Sequence, residues 1–115
     1  MDPSEMKRRT KEFAKRVINL CRSLPKTEEG RLIRNQLFRA GTSVGANYRG
    51  ACRGRSKAEF IAKLGIALEE ADETLYWMEI LAETGSMKAE RMAPLMKEAN
   101  ELISMIVASL KTSKG

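Results

Sequence analysis

Basic side chains at helical spacing are the residues of this sequence best suited to chemistry. At about 100° per residue, the first helical segment places its cations on one side and its apolar residues on the other. A second basic group surrounds Tyr48. Arginine and lysine contact phosphate oxygens, and an aromatic ring can stack on a base. We therefore predict a nucleic-acid-binding surface formed by Arg8, Lys11, Lys15, Arg22, Arg39, Arg49, Arg53 and Arg55.

The same residues also fit a simpler interpretation. A basic helix can be solvated without binding a ligand, and Tyr48 can pack inside a bundle or at an interface between subunits. Basic residues are evidence of electrostatics only, so both interpretations stay open at this point.

The charge of the chain is divided unevenly along its length. The 115 residues carry 21 Lys and Arg and 15 Asp and Glu, a net charge of +6. Residues 1–63 hold 16 basic and 6 acidic side chains, a net +10, whereas residues 64–115 hold 5 and 9, a net −4. This asymmetry predicts either a half that binds a polyanion or two complementary surfaces that meet in an assembly.

Most catalytic constellations are excluded because the sequence contains no histidine. Ser-His-Asp triads, Cys-His dyads, histidine-ligated zinc sites and helical nucleases that use Arg and His all need that residue. The segment from Gly50 to Ser56 lacks the glycine spacing, the lysine and the preceding strand of a phosphate-binding loop. Ser23 and Lys26 match S-x-x-K only across a Leu-Pro helix end. We expect no enzymatic activity and no cofactor.

An acidic cluster follows in the third helical segment. A carboxylate di-metal bundle normally adds Glu-x-x-His motifs, which are absent here, so we expect no metal site. The cluster is typical of a solvated or interface-facing charge run, although Glu70 could be a buried partner for an arginine. Its members are Glu69, Glu70, Asp72 and Glu73.

Apolar spacing predicts an all-α protein with four long helices in an up-down-up-down antiparallel bundle, forming one domain over residues 1–115. The expected helices span residues 3–24, 28–53, 57–84 and 88–111. Asp2 and Thr27 are N-cap candidates, and Ser56 with Glu59 forms a capping box. Pro94 indicates either that the last helix starts near Ala93 or that its first turn is kinked.

The third helix carries a second apolar set, which the periodicity places opposite its core stripe. A small protein usually buries such a second face against another chain, so we predict an oligomer. The expected interface residues are Ile66, Trp77 and Ile80, together with Tyr48.

No secretory signal is recognised at the N-terminus, and no run of about 18 apolar residues is present. Cys21 and Cys52 have neither metal-site nor redox spacing, so we interpret them as reduced packing residues. These observations predict a cytoplasmic protein that does not enter a membrane.

The segment from Gln36 to Phe60 resembles the signature of the 23S rRNA intervening-sequence protein family, also described as S23 ribosomal protein-like. Further positions fit as far as Gly85, so the resemblance covers nearly the whole chain. Many members have an acidic residue followed by glycine where this chain has Gly50 and Ala51, so no role of that carboxylate can be transferred. Matching positions that we expect to be structural are Ser43, Asn47, Ser56, Glu59, Phe60 and Glu70.

This resemblance implies a short bacterial four-helix-bundle protein whose relatives form barrel-like homopentamers. A distant relative, the accessory variability protein of diversity-generating retroelements, is a basic pentamer that binds nucleic acid and a reverse transcriptase. No enzymatic activity is established for the family.

Two hypotheses follow. In the first, the chain is a non-enzymatic oligomer that binds nucleic acid, with RNA favoured over DNA, through the basic surface of its first two helices. In the second, it is a structural scaffold or a module that binds a protein partner, for example as an accessory to a nucleic-acid enzyme, without contacting nucleic acid itself.

Overall fold

The computed structural model describes residues 2–114, and these form four α-helices without a strand. The bundle measures 44 × 21 × 20 Å. The all-α four-helix fold predicted from the sequence is therefore confirmed. The helices are α1 (Pro3–Arg22), α2 (Glu28–Cys52), α3 (Lys57–Glu83) and α4 (Ala89–Lys114).

Local side-chain caps begin the first three helices. The Asp2 carboxylate accepts a hydrogen bond from the N–H two residues later, at 3.0 Å. The hydroxyls of Thr27 and Ser56 each accept from the N–H three residues later, at 3.0 and 3.1 Å. Glu59 reaches back to the backbone N–H of Arg55 at 3.3 Å, one residue before the usual partner in a capping box.

All four helices end one to three residues away from the predicted ends, and two of these differences have backbone reasons. Helix α1 ends at Arg22 instead of residue 24, because Pro25 disfavours a helical conformation in the residue before it. The N–H of Ser23 then donates to the carbonyl of Leu20 and closes the last turn. Helix α3 ends at Glu83 instead of residue 84, two residues before Gly85, which adopts a φ of +71° that favours glycine.

Helix α4 runs continuously through Pro94, which is its sixth residue. The alternative start near Ala93 is therefore wrong. The helix also continues to Lys114, three residues past the predicted end. Lys111 and Lys114 lie in its last turn, where the negative end of the helix dipole favours positive charge.

A single core fills the bundle, and each helix contacts its neighbour in the chain most extensively. The α2–α3 contact is the largest, and the contact between α1 and α4 is the sparsest. Arg9 of α1 connects these two helices, because its Nε and Nη2 atoms donate to the two carboxylate oxygens of Glu98 in α4 at 3.0 and 2.6 Å. Its Nη2 also donates to Glu101 at 3.0 Å.

Helices α1 and α2 approach each other closely where two glycines replace side chains. A Cβ added at Gly41 would lie 2.5 Å from a methyl carbon of Val17. A Cβ added at Gly45 would lie 3.2 Å from the carbonyl carbon and oxygen of Thr10. The glycines of α2 therefore allow close helix packing within a continuous helix.

No helix within residues 2–114 combines the length and apolar character that crossing a bilayer requires.

A candidate nucleic-acid interface between α1 and α2

A groove of about 430 Å³ runs along the outside of the α1–α2 contact. Lys7 and Lys11 project from α1, and Arg49 and Arg53 project from the end of α2, so both sides of the groove carry cations. The remaining lining residues are small, and no carboxylate or aromatic ring is among them. We call this feature the α1–α2 groove; its other lining residues are Thr10, Ala14, Thr42, Gly45 and Ala46.

The four groove cations lack ionic partners, as do most cations of the described chain, and they lie together in one groove. Within residues 2–114, none of them has a carboxylate oxygen within 4.0 Å. In contrast, Arg8 pairs with Glu5 at 2.5 Å, and Lys15 pairs with Glu12 at 3.0 Å. Positive charge in the α1–α2 groove is therefore uncompensated by the described part of the chain, which favours an anionic ligand.

The eight predicted binding cations do not form one site. The structure brings Lys11, Arg49 and Arg53 together in the α1–α2 groove. Arg22 lies at the opposite end of α1, lining a separate cavity of about 520 Å³. Three further basic residues line that cavity, namely Lys26, Arg31 and Arg34.

The remaining predicted cations point elsewhere. Arg39 lies on α2 and donates a hydrogen bond to Gln36 at 3.3 Å. Arg55 is exposed in the turn between α2 and α3. Arg8 and Lys15 lie on the exposed side of α1 and are engaged in pairs with acidic residues of their own helix.

Lys7 is a groove residue that the sequence prediction missed. Its position four residues before Lys11 was the available signal, because residues at i and i+4 share a helix face. Which helix faces which, and therefore that Lys7 joins Arg49 and Arg53, became visible only in the folded bundle.

Tyr48 is buried within the bundle, contrary to its predicted position at a subunit interface. Its side chain is only 1% exposed and lies in the core on the same face of α2 as Val44 and Ala51. Burial raises the pKa of its hydroxyl. The ring can therefore neither stack on a base nor contact a second subunit.

The predicted second apolar face lies beside the core stripe of α3, not opposite it. Ile66 is 40% exposed, but Trp77 is half-buried and packs against the core. Ile80 is also half-buried. The more exposed aromatic ring is that of Tyr76, 52% exposed, which stacks edge-on against Trp77 with ring centroids 5.1 Å apart.

Two carboxylates share this flank of α3, since residues 66, 70, 73, 77 and 80 follow each other at helical spacing. Burial, and next the charge of Glu73, raise the pKa of Glu70, while Arg39 acts in the opposite direction. One carboxylate oxygen of Glu73 and the Nε1 atom of Trp77 are buried without a hydrogen-bond partner. We call the five residues the α3 flank; they are Ile66, Glu70, Glu73, Trp77 and Ile80.

Other residues of the matching segment have structural contacts. The hydroxyl of Ser43 donates to the carbonyl of Arg39 at 2.6 Å, and the side-chain amide of Asn47 donates to the carbonyl of Ser43 at 2.9 Å. Phe60 packs against the core. Within residues 2–114, no group of three or more acidic or cysteine side chains is arranged to hold a metal ion.

Comparison with known proteins identifies a family model and similar solved structures. A protein-family model described as "23S rRNA-intervening sequence protein" matches residues 3–108. A solved structure of a protein of unknown function from the S23 ribosomal protein family of Bacteroides thetaiotaomicron is similar, with a TM-score of 0.89 and 36% sequence identity. That match covers 96% of this chain and 99% of the other. No curated protein matches.

Proposed function

The chain belongs to the 23S rRNA-intervening sequence protein family, and we propose that it is a non-enzymatic, oligomeric protein that binds nucleic acid, with RNA as its ligand. Membership confirms the family inferred from the segment between Gln36 and Phe60. The proposal goes beyond membership, because the similar solved protein is itself described as having unknown function.

The observation that carries this proposal is the uncompensated positive charge of the α1–α2 groove. Four cations converge there without a carboxylate partner among the described residues. Like charges four residues apart on a helix repel each other, at a cost of a few tenths of a kcal/mol per pair. A phosphate backbone would neutralise these cations, remove their mutual repulsion and release its condensed counterions. The cations near Arg22 and Arg34 extend the attraction toward the other end of α1 and α2.

Salt titration of RNA binding tests the proposal. We expect binding of a fluorescently labelled RNA that contains both a hairpin and a single-stranded segment at low salt, with log K falling linearly against log salt as neutralised phosphates release counterions. Four phosphate contacts predict a slope of about −3, since each contributes roughly −0.7 to −0.9. Undetectable binding at low salt, or an affinity that does not respond to salt, would contradict the proposal.

Self-association is the second part of the proposal, and the α3 flank supports it. Ile66 and Tyr76 are exposed apolar side chains, and Tyr76 stacks edge-on against Trp77 of the flank. We propose that a second subunit covers these side chains in a head-to-tail contact that closes into a ring, with five subunits as the proposed number. Light scattering at micromolar concentration tests this, and a monomer would exclude it.

A scaffold or protein-binding module is the alternative function, and the same α3 flank favours it. In that case the α3 flank would bind a different protein, and the positive charge of the α1–α2 groove would attract that protein. A chain that co-purifies with a protein partner and never with nucleic acid would favour this alternative over the first proposal.

A further inference from the structure

We infer that the α1–α2 groove holds the sugar-phosphate backbone of a single nucleic-acid strand, with the bases facing outward, and does not accept a duplex. This inference rests on the proposed nucleic-acid binding and adds the form of the ligand and its orientation.

The width of the α1–α2 groove supports a single strand. Its two sides belong to helices in direct contact, which pack with axes about 8–10 Å apart. The approach is close at the groove floor, where a Cβ at Gly45 would lie 3.2 Å from the backbone of Thr10. A duplex, whose major groove alone is about 12 Å wide, is too broad to enter. It could touch only the outer edges of the groove.

The spacing of the cations suits one backbone. Lys7 and Lys11 stand four residues apart on α1, a rise of about 6 Å, and Arg49 and Arg53 stand four residues apart at the end of α2. Two rows of charge therefore flank one path. A strand lying along that path has cations on both of its sides.

The floor of the groove offers no means of recognising bases. The hydroxyl of Thr10 already donates to the carbonyl of Met6 at 2.8 Å, and that of Thr42 donates to the carbonyl of Phe38 at 2.8 Å. Ala14, Gly45 and Ala46 add no polar side-chain group, and no aromatic ring is available for stacking. Recognition by charge alone predicts binding that is independent of base sequence.

Competition between ligands compared at equal phosphate concentration tests the inference on the full-length chain. A short labelled oligouridylate and the matching oligodeoxythymidylate represent single strands, a blunt hairpin represents duplex, and tripolyphosphate represents free phosphate chains. We expect both single strands to bind at least about tenfold more tightly than the hairpin, and tripolyphosphate to compete poorly at equal phosphate concentration. Equal affinity for hairpin and single strand would overturn the inference, as would displacement by tripolyphosphate at equal phosphate concentration.

A variant that fills the groove without changing charge separates shape from electrostatics. Ala46 is exposed on α2 and lines the groove, so Ala46→Leu narrows it. Ala93→Leu, on an exposed position of α4, is the matched control. We expect Ala46→Leu to lose about tenfold of its affinity for the single strand and little for the hairpin, while Ala93→Leu loses neither. Equal affinities of the two variants for the single strand would overturn the inference.

Charge reversal keeps the test decisive if Ala46→Leu does not fold, which circular dichroism would reveal. Lys11→Glu with Arg49→Glu removes one cation from each side of the groove. Arg8→Glu with Lys15→Glu makes the same change in net charge on the exposed side of α1. We expect at least about tenfold more loss from the groove pair and a salt slope about 1 to 2 lower in magnitude. Equal losses would overturn the groove assignment while leaving salt-dependent binding, and hence the proposed function, intact.

Discussion

Replacing Gly41 of α2 with alanine should destabilise the bundle, whereas replacing Gly65 of α3 with alanine should stabilise it. A Cβ at Gly41 would lie 2.5, 2.7 and 2.8 Å from three side-chain carbons of Val17, which is fully buried. Because all three carbons are close and valine is restricted at χ1, no rotation relieves the overlap. In α3, a Cβ at Gly65 would meet no atom within 4 Å.

Whether alanine stabilises or destabilises the fold at each position depends on two opposing free-energy terms. Alanine is favoured over glycine in a helix interior by about 1 kcal/mol, and overpacking a core costs about 1–3 kcal/mol. For Gly41→Ala, the full overlap with Val17 places the cost at the upper end, so we expect a net loss of about 1–2 kcal/mol in the free energy of unfolding. For Gly65→Ala, only the helix term remains, and we expect a gain of about 0.5–1 kcal/mol.

Thermal and urea unfolding followed by circular dichroism measures both variants. At about 4 °C per kcal/mol, Gly41→Ala should lower Tm by about 4–8 °C. All variants are compared at one protein concentration, because self-association would make Tm depend on it. Combining Gly41→Ala with Val17→Ala should give less destabilisation than the two single losses added together, since the new methyl occupies part of the vacated space. A Gly41→Ala chain as stable as the unmodified one would refute the close packing of α1 on α2.

Three further predictions concern the titratable groups. A double-mutant cycle with Arg9→Met and Glu98→Gln should give a coupling energy of about 1–2 kcal/mol in urea unfolding, because both side chains are largely buried and joined by two hydrogen bonds. Additive losses of stability from the two single variants would contradict this prediction. Glu70→Gln should stabilise the fold at pH 7 and have a smaller effect at pH 4. Burial and the charge of Glu73 raise the pKa of Glu70, so the folded state loses stability as pH rises through that pKa. A gain in stability that grows toward low pH would refute this prediction. Burial raises the pKa of Cys21 to about 11, so at pH 8 only about one thiol in a thousand is ionised, and alkylation followed by peptide mass spectrometry should modify Cys21 only as the chain unfolds.

The parts of the fold that follow local rules could be predicted from the sequence. The caps at Asp2, Thr27 and Ser56 depend on contacts within three residues, so their residue types were sufficient. The end of α3 before Gly85 was equally local. Pro94 was the exception, because packing along α4 sustained a helix that the local preference alone would have started later.

The candidate site could be predicted only in part, since it depends on which faces of distant segments meet. Lys11 and Arg49 were identified as binding residues, but their convergence depends on the approach of α1 to α2. The partnership of Arg9 with Glu98 spans 89 positions in sequence and left no local signal. Tyr48 was misplaced because basic neighbours on an amphipathic helix say little about which way one aromatic ring points.

The sparse contact between α1 and α4 has a consequence for how the chain folds. Because the larger contacts join helices that are consecutive in the chain, the average separation of contacting residues is short, and such topologies fold in microseconds to milliseconds. We expect the α2–α3 hairpin to form the folding nucleus and the side closed by Arg9 to form last. The same side should then open first in the native state, so that amide protons of α1 and α4 exchange with solvent before those of α2 and α3.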